Sequence, residues 1–116
     1  MIPSFVTDYP NPAYPLSDVI AKAQVRYIRF REEALNGAAE LEFSPQDITD
    51  CITGLSPGDF FKSMDAKNPV WAGCRQDVYK TRHLEKEIYV KFQYWPNKTE
   101  RLFIISFKGN TDDHND

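Results

Sequence analysis

Tyr89, Lys91, Ser106 and Lys108 have residue types and spacing that could do chemistry together. The segment Lys86–Trp95 alternates. Ile88, Val90, Phe92 and Tyr94 fall on one side and Glu87, Tyr89, Lys91 and Gln93 on the other, as side chains do along a β-strand. Arg101–Lys108 is apolar and β-branched, and Pro96-Asn97-Lys98-Thr99 has turn chemistry, so the two runs are predicted to form an antiparallel hairpin. A four-residue loop would set Trp95 opposite Glu100, Tyr89 opposite Ser106, Lys91 opposite Ile104 and Glu87 opposite Lys108. Opposed residues share a face. One face is then apolar (Ile88, Val90, Phe92, Phe103, Ile105, Phe107), and the other gathers Tyr89, Lys91, Ser106 and Lys108. A tyrosine with lysines on an open sheet face could hold a phosphate; the plainer alternative is a solvated surface.

Further elements must position this hairpin. A third strand begins at Gln76. Whether Gln76, Lys80 and Arg82 share the Tyr89 face depends on the turn near Glu85-Lys86. A two-residue loop places them there and a three-residue loop reverses them. Val25–Arg31 alternates with mixed faces, as an edge strand does. Leu16, Val19, Ile20 and Ala23 have helical spacing, Glu32–Leu41 is rich in helix formers, and Ser44-Pro45-Gln46-Asp47 is a strong helix start before Ile48, Cys51, Ile52 and Leu55. The same signal recurs at Ser56-Pro57-Gly58-Asp59. One or two turns of helix are therefore predicted over Phe60–Met64, with Phe60 and Met64 buried and Lys62 projecting. The fold class predicted is α+β: an antiparallel sheet of about four strands with helices on one face.

At 116 residues the chain is read as a single domain, 1–116: an extended Pro-rich arm over 1–15, a core over 16–110 and a disordered acidic tail over 111–116. No apolar run is long enough to span a membrane, and Met1-Ile2-Pro3-Ser4 does not begin a signal peptide, so a cytoplasmic protein with no membrane partner is expected. Cys51, Cys74, His83 and His114 lack zinc-ligand spacing, so neither a metal nor another cofactor is expected. The net charge is −3, but it is unevenly spread: residues 1–50 carry −4, 51–110 carry +4 and 111–116 carry −3. The positive half contains the predicted sheet, which suits a polyanion.

Gly54-Leu55-Ser56 with Asp59-Phe60-Phe61-Lys62-Ser63-Met64, then Gln76-Asp77-Val78-Tyr79, Ile88-Tyr89-Val90-Lys91 and Ser106-Phe107-Lys108, resembles the MqsR (motility quorum-sensing regulator) toxins of bacterial type II toxin–antitoxin systems. The resemblance covers roughly 16–110. It implies a RelE-like mRNA interferase fold and an endoribonuclease that needs neither ribosome nor metal, cutting single-stranded mRNA at a short G-C-containing motif. The family's active-site residues fall on Lys62, Gln76, Tyr89 and Lys108. It also implies a cognate MqsA-like antitoxin with zinc-binding and helix-turn-helix parts, leaving no direct DNA binding to this chain. Arg75 stands where the family has tryptophan, with Trp71 as its displaced counterpart, and the 95–100 turn is longer.

Metal-free RNA cleavage needs a base at the 2′-hydroxyl, an acid at the leaving 5′-oxygen and cations for charge developing on phosphorus. Under the resemblance, Lys62 and Lys108 supply cations, and either could be a base if burial or neighbouring cations lowered its pKa. Tyr89 would orient the 2′-hydroxyl or relay a proton, and Gln76 would hold the phosphate or a base edge. Lys80, Arg82 and Lys91 would track the RNA backbone. The alternatives on the same fold are a non-catalytic RNA- or protein-binding module and a ribosome-dependent RelE-type nuclease.

Overall fold

A computed structural model describes residues 8–110. The elements run β1 (Asp8–Tyr9), α1 (Leu16–Gln24), β2 (Ile28–Phe30), α2 (Glu32–Glu40), α3 (Pro45–Thr53), β3 (Phe60–Asp65), β4 (Arg75–His83), β5 (Lys86–Tyr94) and β6 (Leu102–Gly109). The class is α+β, as predicted. The sheet is wider than predicted, with six strands in the order β1-β3-β4-β5-β6-β2. All its pairings are antiparallel except that of β2 with β6. The edge strand read over 25–31 shrinks to Ile28–Phe30, because Val25 caps α1 and Arg26 takes a left-handed φ of 62° that ends any extended run. The predicted arm over 1–15 is described from Asp8 onward, and its Asp8–Tyr9 pairs with Ser63 and Met64. The predicted tail, 111–116, lies outside the described residues.

The helices cover one face of the sheet. Val19 and Ala23 of α1, Ala34 and Ala38 of α2, and Ile48, Cys51 and Ile52 of α3 meet Ile88, Val90, Phe92, Leu102, Ile104 and Phe107 in one buried cluster. The start of α3 is the capping box read from the sequence. Ser44 N–H donates to Asp47 Oδ2 (2.7 Å) and Asp47 N–H donates to Ser44 Oγ (3.2 Å). Helix α2 lies so close to β6 that a Cβ at Gly37 would sit 2.0 Å from the Phe107 carbonyl oxygen. Only glycine permits that approach.

Two expectations are corrected. Phe60–Met64 is strand, not helix. Ser56 and Asp59 form their reciprocal cap, but the helix stops after one 3₁₀ turn and Phe60 is already extended. Pairing with β4 decides the outcome, matching Lys62 with Val78 and Met64 with Gln76. The hairpin register also differs. Tyr89 pairs with Lys108 and Lys91 with Ser106, while Phe92 pairs with Ile104, so Ile105 is an extra residue bulged into β6. The bulge reverses the facing of everything nearer the turn. Phe103 therefore leaves the helix-covered face, and Leu102 and Ile104 take its place there. Ile105 is buried but stands outside that cluster.

The β4–β5 turn settles the alternative left open by the sequence. Leu84 and Glu85 form a two-residue loop with φ of 49° and 67°, the left-handed pair of a type I′ turn. Lys80 is thereby set opposite Tyr89.

Candidate active site

The uncovered face of the sheet carries an ordered array. One row across the strands runs Lys62 (β3), Val78 (β4), Lys91 (β5), Ser106 (β6). The next runs Lys80 (β4), Tyr89 (β5), Lys108 (β6). Met64, Val78 and Tyr89 form a small buried cluster that floors the array. The Lys108 amine lies 4.8 Å from the centroid of the Tyr89 ring, and the Lys80 amine 3.8 Å from that of Phe61. The structure thus brings together Lys62, Tyr89, Lys108, Lys80 and Lys91, all singled out from the sequence.

The remaining two candidates are placed differently. Gln76 is on the same face but only 4% exposed, and its Nε2 donates to Gln93 Oε1 at 2.7 Å. It is a brace between β4 and β5. Arg82 lies out at the hairpin end and is ion-paired with Glu87.

Carboxylates flank the lysine rows. Asp8 of the arm approaches the Lys62 amine at 3.6 Å. On the opposite flank, Ser106 Oγ donates to Glu33 Oε2 of α2 at 3.4 Å. An open cleft of about 490 Å³ runs between α2 and β6 as far as Ser106 and Lys108. Lys91 is half-buried between these flanks. Burial pushes its pKa down; Glu33 opposes that, and the positive charges of Lys67, Lys108 and Lys62 add to it.

Sequence reasoning missed several of these features. Asp77 is fully buried, and its carboxylate accepts hydrogen bonds from Ala13 N–H (2.9 and 3.0 Å) and Tyr14 N–H (3.0 Å), tying the arm to the sheet. Beside the lysines, Trp71, Trp95 and Phe103 form an aromatic cluster with ring centroids 4.9 to 5.5 Å apart. Arg29 stacks on Trp95 at 4.2 Å. Phe103 joins these rings because of the Ile105 bulge, which no local signal announces.

A sheet with one face sealed by helices and the other studded with lysines around a tyrosine defines a class of protein with one open, cationic, hydroxyl-bearing face. Sequence comparison narrows that class. The family described as "Motility quorum-sensing regulator, toxin of MqsA" matches residues 11–109, and the chain belongs to it. It is 31% identical over 100 residues to the mRNA interferase toxin MqsR of Escherichia coli (strain K12), an alignment covering 84% of this chain and 94% of that relative. Among the described residues, no helix is long and apolar enough to cross a membrane.

Proposed function

We propose that this protein is the toxin of a toxin–antitoxin pair and acts as an endoribonuclease on single-stranded mRNA, independently of ribosome and metal. The observation that carries this reading is the placement of Lys62, Tyr89 and Lys108 in adjacent rows on the sheet face that helices leave open. The 2′-hydroxyl attacks its own phosphate, leaving a 2′,3′-cyclic phosphate and a free 5′-hydroxyl. Lys62 and Lys108 hold the charge that gathers on the phosphoryl oxygens. Tyr89 orients the ribose hydroxyl. Gln76, locked to Gln93, acts by holding β4 and β5 in register beneath the substrate. Lys80, Arg82 and Lys91 contact successive backbone phosphates. The cleavage motif is short and contains G and C. The partner is a cognate MqsA-like antitoxin with a zinc-binding part and a helix-turn-helix part, in keeping with the family description.

The test is to incubate purified protein with a long ribosome-free RNA in EDTA, beside a Lys62→Ala/Tyr89→Phe control, and to map the ends. Discrete cuts with cyclic-phosphate ends, absent in the control, are expected. RNA left intact by a folded wild type overturns the ribosome-independent reading. Binding without cleavage would then favour the non-catalytic module, and cuts confined to translated message would favour the ribosome-dependent nuclease.

A further inference from the structure

The reaction needs a base, and the array contains several amines. We propose that Lys91 is that base, the residue that takes the proton from the attacking 2′-hydroxyl. This rests on the ribonuclease reading above and replaces a backbone-contact role for Lys91 with a catalytic one. Lys91 occupies the middle of the row Lys62–Val78–Lys91–Ser106 and adjoins the Tyr89–Lys108 pair. It is half-buried, and no carboxylate among the described residues lies within ion-pairing distance of it. Lys62, by contrast, has Asp8 at 3.6 Å.

The groups around Lys91 are Val78 of β4, Tyr89 of β5, Ser106 and Lys108 of β6, Lys62 of β3, Lys67 of the β3–β4 loop and Glu33 of α2. Three of these are cations that disfavour another positive charge, and burial acts in the same direction. An amine in this setting sheds its proton at lower pH than a solvated lysine and becomes a usable base.

The step balances as follows. Neutral Lys91 Nζ accepts the 2′-hydroxyl proton and becomes an ammonium. The 2′-oxygen forms its bond to phosphorus as the P–O5′ bond breaks. The departing 5′-oxygen takes a proton from the Lys108 ammonium, on the neighbouring strand. Both amines then exchange protons with water and return to their starting states.

Lys91→Arg separates a base from a mere cation, because arginine keeps the charge but does not give up its proton. Cleavage is expected to fall at least ~100-fold, while affinity for a non-cleavable 2′-O-methyl RNA stays near wild type. An arginine variant that cuts at the wild-type rate overturns the proposal. If Lys62→Ala still abolishes cutting in that case, the ribonuclease reading survives without it. A wild type that cuts no RNA sinks both.

A second measurement holds even if Lys91→Arg fails to fold. The single-turnover rate should follow a bell, as a paired base and acid require, with the midpoint of its rising limb below the ordinary lysine value of about 10.4. Lys67→Ala removes a cation that lowers the Lys91 pKa and should move the midpoint up. Glu33→Gln removes an anion that raises it and should move the midpoint down. Opposite shifts from these two variants support Lys91 as the titrating base, and a profile that neither moves refutes it.

Discussion

The two faces of the sheet share the same strands and differ in almost everything else. On the helix-covered face, Ile88, Val90, Phe92, Leu102, Ile104 and Phe107 are 0–1% exposed and meet the aliphatic stripes of three helices. On the open face, a thin apolar floor of Met64, Val78 and Tyr89 lies beneath Lys62, Lys80, Lys91 and Lys108. Alternation along each strand assigns stability to one side and charge to the other. A lysine cluster repels itself, and it persists because the opposite face anchors every strand that carries it. Substitutions on the two faces should therefore separate cleanly into effects on folding and effects on activity.

The strongest challenge to that separation is Lys62→Ala. It should lower the cleavage rate by at least ~100-fold while moving the thermal midpoint by no more than about 2 °C. A large fall in both quantities would show that the faces are not independent. Next in size is Ile104→Ala on the buried face. It should cost about 2–5 kcal/mol in denaturant unfolding, with the activity of the remaining folded protein unchanged at low temperature. Asp77→Ala should cost about 2 kcal/mol, because it leaves the Ala13 and Tyr14 N–H groups without their acceptor. Faster proteolysis of the arm should accompany that loss. The smallest effect tests the ion pair by which Asp8 of the arm meets the open face. Asp8→Ala releases Lys62 from a partly exposed ion pair and should tighten RNA binding by up to about fivefold in low salt, fading as salt rises. Unchanged affinity would assign that pair to the surface rather than the site.

What was legible in the sequence follows from how local each determinant is. Strand β5 could be read residue by residue because polar and apolar side chains alternate cleanly through Glu87–Gln93. Helix α3 could be read because its cap lies within four residues of chain. The Ser-Pro-x-Asp signal at 56–59 is chemically the same, yet it yields a single 3₁₀ turn, since Phe60–Asp65 is claimed by β4 across the loop. That competition is invisible locally, and it moved Lys62 from a helix to a strand on the open face of the sheet. The bulge at Ile105 was hidden for a different reason. Leu102–Phe107 is apolar at nearly every position, so a one-residue slip leaves no mark in the pattern. Tyr89 and Lys108 still share a face, because their end of the hairpin lies beyond the bulge. The aromatic cluster depends on that same slip and could not be foreseen. Lys91 was visible as a surface cation, but its burial among lysines depends on β3, β6 and α2 together.

Strand β6 has a consequence for the order in which the protein can be made. It is the last described element in the chain, yet it lies inside the sheet, between β5 and β2, with α2 along it. While translation is still short of Leu102, α2 has no Phe107 carbonyl to nestle Gly37 against, and β2 has no strand to pair with among the described residues. Helix α2 and strand β2 must wait for β6 before they can dock. That strand also brings Lys108. A polypeptide released prematurely from the ribosome would thus lack both the keystone of the fold and one of the amines assigned to catalysis, leaving an incomplete product without the proposed activity.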